Sequence, residues 1–301
     1  MNLTRARAIS PLFFLILLFS FFIIPVHADE LALLTRKLSY SLGATINIYG
    51  TLTLGGNPVA DGLVAVQVDD NLGQLKYIRV LPSGNPPSPW KARIVEFLSC
   101  SFQGSPKNSF NRGTLAYFRV TVESLDAILE RQVTIALNLF DPVGVSFGAA
   151  CASFSLDPGK QFTFFTSMPI PADSFIGQAI CTANLLTKWP KDNGYPYCPE
   201  ELAEFTIVGG GSQATGPPEL TSASPRGSFN LSFKLPNTAR LGNYFIYASG
   251  RYSARASATF DYFWLLTDID RNGVVNMADL FIVAKAYSLS LIHISEPTRP
   301  Y

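Results

Sequence analysis

The sequence predicts an all-β protein whose strands pack as pairs of sheets. Apolar and polar residues alternate with period two in run after run. Glycine, proline, asparagine or aspartate bounds each run, and turn signals such as "LGGNPVADG", "DPG" and "KDNGYP" recur between them. The composition, 48% hydrophobic, 13% aromatic and 15% charged, supports buried cores and is too apolar for a disordered chain.

The chain begins with a different signal. Arg5 and Arg7 form a basic region, the apolar run "PLFFLILLFSFFIIPV" follows, and "VHA" places the small residues Val26 and Ala28 before Asp29. This predicts a signal peptide over residues 1–28 and an exported protein, extracellular or at the cell surface. An uncleaved membrane anchor is the alternative reading of the same run.

The strands follow in order. "ATINIYG" puts Ile46 and Ile48 on one face, and "LVAVQV" does the same with Val64, Val66 and Val68. "VTIALNL" aligns Val133, Ile135, Leu137 and Leu139, and "SFNLSFKL" aligns Phe229, Leu231 and Phe233. Strands with one apolar face bury it by stacking two sheets. The stretch "GGGSQATGPPE" marks a linker at 209–218.

Charge points to no polyanionic partner. The formal net charge is +1, with no basic stripe or acidic block, so nucleic acid is not an expected partner. Of the two histidines, His27 falls in the leader and His293 in the C-terminal tail. The body therefore lacks the imidazole that serine–histidine–aspartate or cysteine–histidine catalysis needs. The carboxylate doublets Asp69–Asp70 and Glu200–Glu201 place neighbours on opposite faces of a strand, so neither pair converges on a substrate. The chain is expected not to be an enzyme, with a catalytic domain placed, if anywhere, in a C-terminal continuation.

Cys100, Cys151, Cys181 and Cys198 can pair in an exported protein. Cys181 and Cys198 flank one aromatic loop and form the first expected bridge, leaving Cys100 with Cys151. Four cysteines allow three pairings, and free buried thiols are a further alternative. Within that loop, "KWPKDNGYPYC", Trp189, Tyr195 and Tyr197 are candidate ligand contacts, since exposed rings stack on sugars or peptides. The competing reading packs these rings against the loop's own prolines. Asn230 lies in an "NLS" glycosylation sequon.

"YSLGATINIYGTLTLGGNPVADGLVAVQVDDNLG" resembles the first half of a macroglobulin-type, immunoglobulin-like domain of prokaryotic, archaeal-type surface proteins. "GSFNLSFKLPNTARLGNYFIYASGRYSARASATFDYF" resembles the second half. The resemblance implies a discontinuous immunoglobulin-like domain, residues 31–90 plus 219–264, with a second β-sandwich, 91–208, inserted between its halves. Two or three consecutive domains without insertion is the alternative.

"DIDRNGVVNMAD" spaces oxygen donors as a calcium loop does. Asp268, Asp270 and Asn272 hold positions 1, 3 and 5, and Gly273 permits the turn. Val274 offers its carbonyl at position 7, Asn276 lies at position 9, and Asp279 closes the shell at position 12. After it, Leu280, Val283, Ala284 and Tyr287 form one apolar helical face. A calcium loop with only an exiting helix resembles a dockerin repeat, covering residues 265–288. The resemblance implies Ca2+ as ligand and a cohesin-like or other surface protein module as partner. Met277 and Ala278 replace the small hydroxyl residues usual at positions 10 and 11, a departure from the pattern that selects a standard cohesin.

The tail at 289–301, "LSLIHISEPTRPY", reads as in-frame translation of a transposase-based sequencing adapter, not native protein. The natural chain is expected to continue past Ser288 with a second calcium loop. The whole reads as a non-catalytic exported protein: β-sandwich spacer or adhesion modules with a calcium-binding docking module. The alternative is a carbohydrate-binding protein, or one associated with polysaccharide degradation, with a glycan as ligand. A membrane contact arises only through an uncleaved leader or a later anchor.

Overall fold

The structure is a computed structural model that describes residues 29–59, 61–84, 90–125, 132–210, 214, 218, 227–250, 254–263 and 277–286. These residues are nearly all β. The expected signal peptide at 1–28, most of the expected linker, the expected calcium loop up to Asn276 and the tail at 289–301 lie outside the described residues.

The first six strands are β1 (Asp29–Thr35), β2 (Ser39–Ser41), β3 (Thr45–Leu54), β4 (Asn57–Pro58), β5 (Leu63–Asp69) and β6 (Leu75–Pro82). The last three are β15 (Ser228–Lys234), β16 (Gly242–Gly250) and β17 (Arg255–Phe263). The two groups share sheets. One sheet runs β1-β3-β15 with β4 on β3, and the other runs β2-β17-β16-β5-β6. Period-two alternation explains their packing. Ile46, Ile48 and Leu52 of β3, with Phe229, Leu231 and Phe233 of β15, meet Val64, Val66, Val68, Tyr244, Ile246 and Phe260 from the facing sheet. Gly50 is required in the middle of β3, because a Cβ there would collide with the Ala32 carbonyl and the Phe229 ring.

The intervening segment builds its own sandwich. Its strands are β7 (Ala92–Cys100), β8 (Ser109–Asn111), β9 (Leu115–Ser124), β10 (Gln132–Phe140), β11 (Ser146–Ser155), β12 (Gln161–Pro169), β13 (Gly177–Leu186) and β14 (Glu201–Val208). Sheet β11-β10-β13-β14-β8 stacks on sheet β12-β9-β7. Val133, Ile135, Leu137 and Leu139 of β10 fill the space between them with Phe118, Val120 and Val122 of β9.

β5, β10 and β13 are buried on both faces, beyond what one-sided alternation predicts. The second faces meet at a junction between the sandwiches. Leu63, Ala65, Ile78 and Val80 pack there against Ala136 and Leu186. β6, the edge strand of the first sandwich, lies against the outer side of the β10–β13 sheet. Its outward backbone groups are taken up by side chains. Asn138 Oδ1 accepts the Ile78 N–H at 3.0 Å, and Ser146 Oγ donates to the Lys76 carbonyl at 2.7 Å. Asn138 Nδ2 donates to Ser146 Oγ and to the Gly148 carbonyl at 2.9 and 2.8 Å. An exposed edge would invite pairing with another chain, and this one is covered.

Two turns of the same design flank the junction. Asp70 Oδ1 accepts the N–H groups of Leu72 and Gln74, both at 2.9 Å. Asp141 Oδ1 accepts those of Val143 and Val145 at 3.0 and 2.8 Å. The second turn also bonds across the sandwiches, where the Gly144 carbonyl accepts the Lys234 N–H at 3.0 Å.

Candidate functional site

Of the residues expected to ligate calcium, Asp268, Asp270, Asn272, Val274 and Asn276 lie outside the described residues, and Asp279 lies within them. Asp279 sits in the first turn of α1 (Met277–Ala286), where a carboxylate is favoured by the helix dipole. It is 2% exposed, while Met277, Leu280, Phe281 and Ile282 around it are 68%, 41%, 55% and 38% exposed. The apolar side chains of this turn thus face solvent and its one carboxylate is inside. Among the described residues no cluster of three or more histidine, cysteine, aspartate or glutamate side chains forms a metal centre.

The aromatic loop is laid over the first sandwich. A short 3-10 turn, Pro190–Asp192, follows Trp189, and Asn193 adopts a left-handed conformation with φ 68°. Gly194 admits no Cβ, which would overlap the Lys188 backbone. The Gln67 side-chain carbonyl accepts the Lys191 N–H at 3.3 Å, and Lys191 Nζ pairs with Asp69 at 3.2 Å. Trp189 is half-buried against the junction cluster. Tyr197 is 6% exposed in the core of the second sandwich, and Tyr195 is half-buried beside it with centroids 6.2 Å apart. Trp189 and Tyr197 are therefore engaged in packing, and Tyr197 offers no open face to a ligand.

Neither expected disulfide is present; all four cysteines are free. Register explains it. Cys181 lies opposite Ala203, and the loop returns so that Pro196 meets Leu186. Cys198 then falls near Asn184, three residues along β13, or about 10 Å, beyond the reach of a disulfide. Cys100 ends β7 opposite Tyr117, on the outer side of its sheet, and Cys151 is exposed on β11 of the facing sheet. The spacing of stacked sheets, about 10 Å, separates their backbones, and both side chains are on outer faces, so no bridge can form. Burial pushes the Cys198 thiol up to about 12 and the Cys181 thiol well above its ordinary value, which suits inert core thiols.

The carboxylate doublets separate onto different partners. Asp69 takes Lys191, and Asp70 takes Lys76 at 3.1 Å. Burial opposes ionisation of Asp70, but the Gln74 N–H, the Lys76 ammonium and the Leu72 N–H outweigh it and hold the carboxyl below its ordinary value. Glu200 reaches across to Arg79 of β6. Arg79 Nε donates to Glu200 Oε2 at 2.6 Å, and its Nη2 donates to Glu200 Oε1. Arg79 is 2% exposed and its guanidinium carbon lies 5.8 Å from the Phe140 ring centroid. Burial works against the charge, and the Glu200 carboxylate holds it. Burial raises Glu201, and the Glu200 charge raises it further.

The outer face of the β12-β9-β7 sheet holds residues that the sequence reading passed over. Phe165 of β12 stacks on Tyr117 of β9, with centroids 6.1 Å apart and planes at 24°. Phe102, in the turn after β7, meets Tyr117 edge-on at 5.8 Å. The one sequence signal was the aromatic run "QFTFFTS", in which Phe165 breaks the inward alternation of Phe162 and Phe164.

No protein-family model matches the chain, and no curated protein matches it. Among solved structures, the chain is similar to the C-terminal domain of wzt, with TM-score 0.34 and 12% identity over 46% of this chain and 86% of that one. It is similar to trypsin activated alpha-2-macroglobulin from Escherichia coli, with TM-score 0.25 and 11% identity over 83% of this chain and 25% of that one. A beta-glucosidase from Listeria innocua in complex with glucose gives TM-score 0.25 and 13% identity over 44% and 19%. At these scores the likenesses assign neither family nor function.

Proposed function

We propose that this is a non-catalytic exported protein whose β-sandwiches act as a spacer or adhesion body, with a calcium-binding docking element at 265–288. The observation that carries the reading is the run of oxygen donors at alternate positions leading straight into α1. Asp279, its twelfth position, is the buried carboxylate of an otherwise solvent-facing first turn. The donor set contains carboxylates, amides and a carbonyl and no sulfur or imidazole, which fits a hard cation such as Ca2+. Bound there, the ion would draw Asp268, Asp270, Asn272 and Asp279 together and set the direction of the helix. The exposed Met277, Leu280 and Phe281 would then be the contact face for a partner module.

Calcium titration by calorimetry of the full-length protein tests this. The expected result is one site per chain, lost in Asp268→Ala and Asp279→Ala. Equal calcium uptake by wild type and Asp268→Ala overturns the assignment.

A further inference from the structure

A solvated sheet face ordinarily carries polar side chains, but the β12-β9-β7 face carries a row of rings. Phe165, Tyr117 and Phe102 follow one another across the strands, with centroid spacings of 6.1 and 5.8 Å. Phe102 is 70% exposed and Phe165 42%. The turn holds Phe102 out in water by bonds of its own. The Ser101 carbonyl accepts the Gly104 N–H at 2.9 Å, Ser101 Oγ accepts the Ser105 N–H at 3.3 Å, and Arg119 Nη1 donates to the Gly104 carbonyl at 3.0 Å. A ring fixed in this way loses little freedom when something stacks on it.

Beside the rings runs a polar rung. The hydroxyls of Thr121 and Thr163 lie 3.1 Å apart, Thr121 Oγ1 donates to Glu96 Oε2 at 3.4 Å, and Arg119 pairs with Glu96 at 2.9 Å. The charges next to the rings thus cancel, and the face presents aromatic area and hydroxyl-type hydrogen bonding with no net charge.

We propose that this face is a binding platform for a neutral polysaccharide. A sugar ring has an apolar C–H face, which stacks on an aromatic ring, and a rim of hydroxyls, which the exposed Thr163 and Glu96, held in place by the buried Thr121, can meet. The paired charges give a polyanion nothing to hold. A peptide strand would need a free sheet edge, and this is a sheet face. A protein or lipid surface would call for a broader apolar patch without the polar rung beside it. The proposal stands independently of the calcium reading.

Affinity electrophoresis of the full-length protein tests it, in gels containing glucomannan, hydroxyethylcellulose or dextran, with polygalacturonate as the polyanion, each in calcium and in EDTA. The expected result is retardation by at least one neutral polymer, the same in EDTA. Phe102→Ala and Phe165→Ala each weaken it by about tenfold, the size of one ring contact. Their thermal midpoints stay at the wild-type value, because both rings are exposed. The proposal is overturned by no retardation by any neutral polymer, retardation by polygalacturonate alone, undiminished retardation in both variants, or a concentration-dependent dimer that Phe102→Ala abolishes. Loss of retardation in EDTA alone would also overturn it, placing the contact at 268–279 and leaving the calcium reading intact.

Discussion

Arg79 and Glu200 come from segments more than a hundred residues apart in the chain and meet where both are shielded, with side chains 2% and 13% exposed. A buried ion pair contributes little net stability, because desolvating two charges offsets their attraction. Breaking it is another matter, since the remaining charge has no solvent. The Tyr77 phenol is the other group beside the guanidinium, and its neutral oxygen does not replace the carboxylate's charge. Glu200→Ala is therefore expected to cost about 3–5 kcal/mol, and Arg79→Met with Glu200→Gln less than the Glu200→Ala single change. Urea unfolding of the variants measures this, and a double change that costs as much as Glu200→Ala or more would remove the pair from the junction's energetics. None of it was legible in the sequence. Glu200 stood out only as half of an acidic doublet, and Arg79 sits on the core-facing side of an edge strand, where alternation predicts an apolar residue. Asp268 to Asp279 are the reverse case. Their spacing is local, so the calcium proposal can be made without knowing what lies across from it.

At the scale of elements, β6 shows how an edge strand is made safe without a further strand. Its Lys76 and Ile78 backbone groups point away from β5, and side chains of β10 and β11 meet them instead of water or another chain. Asn138 is the centre of that arrangement, fully buried and satisfied on both its oxygen and its nitrogen. Asn138→Ala would leave the Ile78 N–H and the Gly148 carbonyl without these partners. The expected cost is about 2–3 kcal/mol, visible as a lower denaturation midpoint with an unchanged m-value. A cost below about 0.5 kcal/mol would mean that water replaces the amide and that the edge is not closed. The period-two pattern made β3, β5, β10 and β15 legible because each has at least one uninterrupted apolar face. It could not announce that β5 and β10 are covered on both sides. Ala65, Gln67, Ala136 and Asn138 read as an ordinary solvent face until a second sandwich is placed on it.

At the scale of the molecule, strands from 29–82 and 228–263 interleave in two sheets while 92–208 folds between them, so the chain leaves the first sandwich and must return to finish it. The first sandwich depends on its last three strands: β15 adds to β3, and β16 and β17 complete the facing sheet. Phe140 and Ile180 of the second sandwich sit in the first one's core, with the Phe140 ring edge-on to Tyr77 at 5.6 Å. The Lys191–Asp69 and Gly144–Lys234 contacts tie further points of the junction together. Two bodies joined through a shared apolar cluster and a covered strand edge lose each other's support when either opens. Differential scanning calorimetry of the full-length protein is therefore expected to show one main transition for residues 29–263, not two. Because the proposed calcium loop and α1 lie beyond that body in sequence, chelation should leave the main transition in place and loosen only the C-terminal segment, read as faster proteolysis after Phe263. Two resolved β transitions would mean that the junction is a contact between independent sandwiches, and a main transition that falls with EDTA would mean that the ion stabilises the body itself.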